Sequence, residues 1–179
     1  MLTESNYEAL ITEIKEEFPD FRIEKKSESQ LMVIIDALLR IITFGQMRMF
    51  MDKFITTLGN TIYVSTEWDN GSIPNKMSIL RHERVHMRQA RKYGRFLFSF
   101  LYLAGLPAGL AYFRKKFEQE AYEESLRAYH EYYGKEVFTE DLKDSIVRHF
   151  TSSEYFWMWP WKKDVENWYD KIVSKINDN

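Results

Sequence analysis

The sequence predicts an α+β fold that is mainly helical and has a small antiparallel sheet in the N-terminal part of the chain. Several segments place apolar residues three or four positions apart, which is typical of amphipathic helices. Two β-rich runs flank Gly59-Asn60, a dipeptide typical of hairpin turns. The 179 residues contain no repeat and no linker, so a single domain over residues 1–179 is expected.

The order of elements follows from the spacing of apolar and turn residues. A helix over Ser5–Phe18 is followed by a short strand at residues 21–26. The next helix, from about Gln30 to Thr43, is apolar on most faces, so we expect it to lie in the core. The hairpin covers Phe54–Ser65.

Helices dominate the rest of the chain. One runs from about Asn75 to Tyr93, where Gly94 provides a stop or bend. Another runs from about Tyr112 to Tyr133, and Thr139 is expected to cap the helix that follows it. A last amphipathic helix carries apolar residues at Val165, Trp168, Tyr169 and Ile172.

Composition narrows the class of protein. There are no cysteines, which excludes disulfides and thiolate metal sites, and no signal peptide is visible. We therefore expect a cytoplasmic protein, with membrane association as the alternative. The net charge is −2, so no nucleic-acid partner is expected.

The segment that carries chemistry is His82-Glu83-Arg84-Val85-His86, an HExxH pattern. Two histidines four residues apart share one face of a helix, so both imidazoles can bind the same zinc ion. The glutamate after the first histidine then lies beside the open coordination position. There Glu83 can take a proton from water and deliver it to a leaving amine. The alternative is a pair of solvated histidines on a charged helix face.

A catalytic zinc usually has three protein ligands, so a third ligand is required. Gln89 and Lys92 occupy the positions where the extended HExxHxxGxxH pattern needs glycine and histidine. A carboxylate from the later run FEQEAYEES is the other solution, and Glu120 is the residue we expect. Glu124 would then accept a hydrogen bond from a ligand histidine and fix its tautomer. The competing ligands are Glu118, Glu123 and Glu124.

These residues resemble the gluzincin class of zinc metallopeptidases, in particular its minimal bacterial and phage members. In that class HExxH supplies two ligands, and a glutamate on a downstream helix supplies the third. The resemblance implies a zincin-like fold in which the sheet lies beside the HExxH helix. It also implies that the edge strand TIYVS aligns extended substrate, with Thr61, Tyr63 and Ser65 as contacts. The residue that steadies the oxyanion in larger members stays open among Tyr129, His130, His149 and Tyr155.

The 18 residues from Phe96 to Phe113 carry no charge, which approaches the length of a membrane span. A span would place His86 and Glu120 on opposite sides of about 30 Å of hydrocarbon, where they could not share a zinc ion. A turn at Gly105–Gly109 solves this conflict. Counted from Leu106, arms of 20 and 14 residues reach about 30 and 21 Å as helix. We therefore expect a helical hairpin that forms core or a pocket wall, and a hairpin that dips into a membrane is the alternative.

The function predicted from the sequence is zinc-dependent hydrolysis of a peptide bond in a peptide or protein substrate. The expected cofactor is Zn²⁺. Besides the substrate, the other partner to consider is a membrane that the protein contacts at its surface. The competing hypothesis is a zinc-binding module without proteolytic activity, which acts in structure or in protein binding.

Overall fold

The computed structural model describes residues 2–42, 45, 49–104, 111–152 and 158–178. The chain divides into two compact units, Leu2–Met77 and Ser78–Asn179. Both the predicted single domain and the predicted place of the sheet beside the HExxH helix stay predictions. The mainly helical α+β class is confirmed.

The first unit contains a small sheet and short helices. Its elements are α1 (Glu4–Glu17), β1 (Arg22–Lys25), α2 (Gln30–Ile42), α3 (Phe50–Lys53), β2 (Thr56–Leu58) and β3 (Thr61–Val64). Strands β2 and β3 form the predicted antiparallel hairpin, and Gly59 turns between them with a φ of 63°. That positive φ favours glycine because it has no Cβ.

The sheet is mixed, which corrects the prediction of an antiparallel one. The strand order is β1-β3-β2, and β1 pairs with β3 in the parallel direction. Alternating apolar residues define the two faces of a strand but do not define the direction of its neighbour. Because β3 has a partner on both sides, the prediction that it is an edge strand is also wrong.

Helix α2 is not the core helix that its composition predicts. Met32 is fully buried, whereas its other large apolar side chains are mostly exposed, among them Leu31, Ile34, Leu38 and Ile41. A helix that is apolar on most faces gives no indication of which face is covered. The buried apolar residues of this unit include Leu10, Ile11 and Ile14 on α1, and Ile62 and Val64 on β3.

In its described residues, the second unit is built from helices. Its elements are α4 (Ile73–Tyr93, which begins before the unit does), α5 (Arg95–Leu103), α6 (Tyr112–Tyr133), α7 (Glu140–Thr151) and α8 (Lys162–Asn177). Gly94 has a φ of 80° between α4 and α5, which confirms the predicted bend there. Thr139 accepts a hydrogen bond from the backbone N–H of Leu142 and so caps α7, as predicted.

The core of this unit lies between α6, α7 and α8. Its fully buried residues include Leu126 on α6, Val147 and Phe150 on α7, and Val165 on α8. Burying each side chain of this size contributes about 1.5–3 kcal/mol to the free energy of folding. Packing against α7 and α8 therefore holds α6 firmly. This matters because α6 carries the glutamates considered as metal ligands.

Helices α5 and α6 contact each other, and we call the pair the α5–α6 hairpin. The rings of Phe98 and Phe117 lie 5.0 Å apart between the two helices. The chain therefore turns back as predicted, although the predicted turn at Gly105–Gly109 lies outside the described residues. No helix in the described ranges is long and apolar enough to cross a membrane.

Of the two roles predicted for the apolar segment, core or pocket wall, α5 does not have the role of core. No residue of α5 is fully buried, and one side of the helix is open to solvent. Its inner side carries Phe98 and Tyr102, which are half-buried.

Candidate metal centre

Helix α4 brings the two predicted histidine ligands together. His82 and His86 are one helical turn apart, and their ring centroids are 4.9 Å apart. His86 and Glu83 are both buried, each with 7% of its surface exposed. The two imidazoles therefore face the same volume inside the unit, as the spacing of the HExxH pattern predicts.

The carboxylate that meets these imidazoles belongs to Glu118 on α6. His82, His86 and Glu118 each offer a ligand atom, and these three atoms all lie within 4.8 Å of one another. The Nε2 atom of His82 is 3.4 Å from one carboxylate oxygen of Glu118, and the Nε2 atom of His86 is 3.6 Å from the other. No fourth histidine, aspartate or glutamate from the described part of the chain joins this group.

These separations fit a shared metal ion. Ligand atoms about 2.0–2.1 Å from one tetrahedral zinc lie about 3.3 Å from each other. A charge-assisted hydrogen bond between imidazolium and carboxylate would instead bring nitrogen and oxygen to about 2.7–2.9 Å. The observed distances of 3.4 and 3.6 Å are nearer to the first value. Two imidazoles and one carboxylate are also ligands that zinc accepts in catalytic sites.

Glu120, the third ligand expected from the sequence, is not in the cluster. Its exposed side chain accepts a hydrogen bond of 2.8 Å from the amide of Gln89. Residues two positions apart on a helix are separated by about 200° around its axis, so Glu118 and Glu120 cannot face the same ion. Glu123, another competing ligand, pairs with Arg127 at 2.7 Å.

The outer nitrogen of each imidazole has its own polar partner. The Nδ1 atom of His82 lies 3.1 Å from the hydroxyl of Ser125, and the Nδ1 atom of His86 lies 2.9 Å from the Oε1 atom of Gln89. The amide nitrogen of Gln89 already donates to the carbonyl of Phe117 and to Glu120, so its oxygen must be the acceptor. His86 therefore donates from Nδ1, which leaves the lone pair of neutral Nε2 for a metal.

Glu124 does not have the role predicted for it. Its carboxylate accepts a hydrogen bond of 2.7 Å from the Nε–H group of Arg81 instead of one from a histidine. The same guanidinium also donates to Glu131 and to the hydroxyl of Tyr132. Burial alone would lower the pKa of Arg81, but these acceptors raise it, so Arg81 stays charged and ties α4 to α6.

Tyr102 on α5 contacts the ligand cluster, and the sequence did not predict this contact. Its hydroxyl donates a hydrogen bond to Glu118, and its ring lies edge-on to His86 with centroids 5.9 Å apart. The guanidinium of Arg114 lies 5.1 Å from the centre of the Tyr102 ring. Burial and the neighbouring Glu118 charge raise the pKa of Tyr102, so its hydroxyl remains a donor.

Opposite charges hold the cluster together when His86 is protonated. Burial by itself lowers the pKa of His86, but the negative charge of Glu118 outweighs this effect and raises that pKa to about 9. Burial by itself raises the pKa of Glu118, yet the charge of His86 and contacts with both histidines hold it well below its usual range. Glu83 is near enough for its charge to raise the pKa of His86 further. A cation is thus favoured at this position.

No family model, no curated protein and no solved structure matches this chain. The resemblance to gluzincins therefore rests on the sequence motifs alone, and the zincin-like fold stays a prediction.

The other predicted site residues lie elsewhere in the chain. Thr61 and Tyr63 are half-buried on β3, and Ser65 is buried just after it, in the unit that does not contain the histidines. Because β3 is the central strand, its backbone is not open to pair with a substrate.

The four candidates for steadying an oxyanion lie at different places in the chain. The ring of His149 packs on that of Tyr122 with centroids 5.7 Å apart, and Tyr122 packs on His82 with centroids 4.9 Å apart. His130 stacks on Phe138. Tyr155 lies outside the described residues. Tyr129 is half-buried on α6.

Proposed function

We propose that this protein is a zinc-dependent metallopeptidase in which His82, His86 and Glu118 hold the metal and Glu83 is the general base. The observation that carries the proposal is that His82, His86 and Glu118 each offer one ligand atom, and that these three atoms lie within 4.8 Å of one another. The Nδ1 partners, Ser125 and Gln89, support it because they orient the rings in the way that second hydrogen bonds orient metal-binding imidazoles. Three protein ligands leave one tetrahedral position open, which a catalytic zinc needs.

A zinc ion in this position would polarise the scissile carbonyl and make water a better nucleophile near neutral pH. The residues of the chain do the rest. Glu83 accepts a proton from the attacking water as its oxygen adds to the carbonyl carbon. Glu83 then passes this proton to the amine nitrogen as the carbon–nitrogen bond breaks. Its position directly after His82 on α4 and its burial next to His86 favour this role.

Tyr102 is a positioning residue in this scheme. Its hydrogen bond occupies one direction around the Glu118 carboxylate and so orients the ligand. The substrate is proposed to be a peptide or protein. Thr61, Tyr63 and Ser65 are not proposed as its backbone partners, because β3 is flanked on both sides.

The experiment that tests the function compares Glu83→Gln with the wild-type chain. We expect the variant to bind zinc with unchanged stoichiometry, measured by elemental analysis, and to cleave peptides about 10²–10⁴-fold more slowly. Glu120→Gln is the matched control, since it removes the same charge at an exposed position and should leave cleavage nearly unchanged.

Two results contradict the proposal. One is a Glu83→Gln variant that cleaves as fast as the wild-type chain. The other is a wild-type chain that carries one zinc ion and cleaves no member of a broad peptide library, which would support the zinc-binding module without activity.

A further inference from the structure

Helix α5 exposes large apolar side chains along its outer side. Phe96, Phe100 and Leu103 are 96%, 69% and 60% exposed, and they share one face because they recur at steps of four and three. Leu97, beside them, is 50% exposed. The opposite side of the helix already packs through Phe98 on α6. The outer face of α5 is therefore not part of the core of this unit.

The first residues of α6 also expose large apolar side chains. Tyr112 and Phe113 are 49% and 45% exposed. They follow the connection between the two helices, and residues 104–111 contain no charged residue in the sequence. In the sequence, the 18 residues from Phe96 to Phe113 are therefore uncharged and mostly apolar. Monomeric proteins rarely leave apolar patches of this kind open to water.

Positive charges surround this apolar region in the sequence. No aspartate or glutamate occurs between Gln89 and Phe117, although the whole chain is net negative. Lys92 and Arg95 precede the apolar face of α5, and Lys116 follows Phe113; all three are exposed. Lys115 is different, because it is buried and paired with Asp164 at 2.7 Å.

This combination decides which partner fits. Apolar side chains that enter the boundary between headgroups and acyl chains, with cations behind them at headgroup level, are typical of proteins that bind anionic membranes. A second copy of the chain fits poorly, because a symmetric contact through this face would bring the cations of both copies together. Helix α5 has only nine residues and spans about 14 Å, so contact would be peripheral.

We propose that the α5–α6 hairpin docks this protein on the surface of membranes that contain anionic lipids, through Phe96, Leu97, Phe100 and Leu103. Lys92, Arg95 and Lys116 contact the headgroups. This surface is separate from the residues proposed to bind zinc, so it can be tested with or without the metal.

The experiment is flotation of the full chain with phosphatidylcholine vesicles that contain or lack phosphatidylglycerol. We expect binding to the anionic vesicles and about tenfold or greater loss of binding for the double variant Phe96→Ser and Phe100→Ser. The matched control is Ile34→Ser with Leu38→Ser, which makes the same kind of change on the exposed face of α2 and should bind like the wild-type chain.

A charge variant tests the second half of the proposal. Reversal of Lys92, Arg95 and Lys116 to glutamate should abolish the preference for anionic vesicles, since each cation near such a surface contributes about fivefold to binding. Circular dichroism and zinc stoichiometry should stay unchanged in every variant, because all substituted side chains are exposed.

Three outcomes overturn the proposal. The first is wild-type protein that binds anionic vesicles no better than neutral ones. The second is an α5 double variant that binds as well as the wild-type chain, or one whose loss of binding is no greater than that of the α2 control variant. The third is a wild-type dimer in sedimentation analysis that the α5 variant converts to monomer while vesicles are not bound, which would assign the face to contact between copies.

Discussion

Removing the carboxylate of Glu118 is the perturbation that tests the metal centre most directly. In the proposed site it holds one of three ligand positions, and its oxygens lie 3.4 and 3.6 Å from the two Nε2 atoms. Four-ligand zinc sites bind with about 10–16 kcal/mol, so one ligand contributes about 2.5–4 kcal/mol. Since 1.4 kcal/mol corresponds to tenfold, Glu118→Gln should weaken zinc binding by about 10²–10³-fold.

Glu120→Gln provides the contrast, because it makes the same change two residues away on the same helix. Its side chain contacts Gln89 and not the two histidines, so zinc affinity should change by only a small factor. The assay is competition with a fluorescent chelator of known affinity, supported by circular dichroism to show that both variants fold. Tight binding by Glu118→Gln together with loss of zinc in Glu120→Gln would refute the ligand assignment and restore the one expected from the sequence.

Three further predictions concern the surroundings of the ligands. Tyr102→Phe should lower zinc affinity by about 10–100-fold, because Glu118 loses the hydrogen bond that orients it, and unchanged affinity in the chelator assay would contradict this role. Zinc affinity should also depend on pH. The pKa of metal-free His86 is raised to about 9 by Glu118, so zinc must displace a proton below that pH. Affinity should then fall about tenfold for each pH unit below 9, whereas a flat profile would show that His86 is neutral or does not bind. Arg81→Ala should lower the free energy of unfolding by about 2–3 kcal/mol in urea titrations, because Glu124 loses a partly buried partner, and a change below about 0.5 kcal/mol would show that this ion pair is not stabilising.

The sequence predicts correctly the part of the site that lies on a single helix, which is the pair of histidines on α4. His82 and His86 lie where the sequence puts them, because i and i+4 on a single helix share a face whatever the rest of the fold does. The choice between Glu118 and Glu120 is different. It depends on how α6 is rotated about its own axis relative to α4, and four glutamates between 118 and 124 are compatible with the sequence.

The polar partners of the imidazoles are harder to predict from the sequence than the imidazoles themselves. Gln89 is three residues after His86, and Ser125 is seven residues after Glu118, so both lie on the faces of their helices that carry a ligand. This signal was available, but glutamine and serine at such positions are common on any helix. Tyr102 is harder still, because its contact with Glu118 depends on how α5 and α6 pack.

The fold shows the same division between local and long-range information. The limits of α1 and α4 follow from apolar spacing, the start of α7 follows from its cap, and all of them agree closely with the structure. The parallel pairing of β1 with β3 could not be predicted, since the two strands are joined by a long stretch that contains α2 and α3. The open faces of α2 and α5 also escaped prediction, because apolar composition alone suggests burial.

The three oxygen acceptors around Arg81 have a consequence for how an ion enters and leaves. They belong to Glu124, Glu131 and Tyr132 of α6, so they join α4 to α6 without any help from a cation between the helices. The contact between the two helices therefore does not depend on a bound metal. A zinc ion held as proposed would exchange without unfolding of the helices, and its occupancy would follow the free zinc concentration instead of the history of folding.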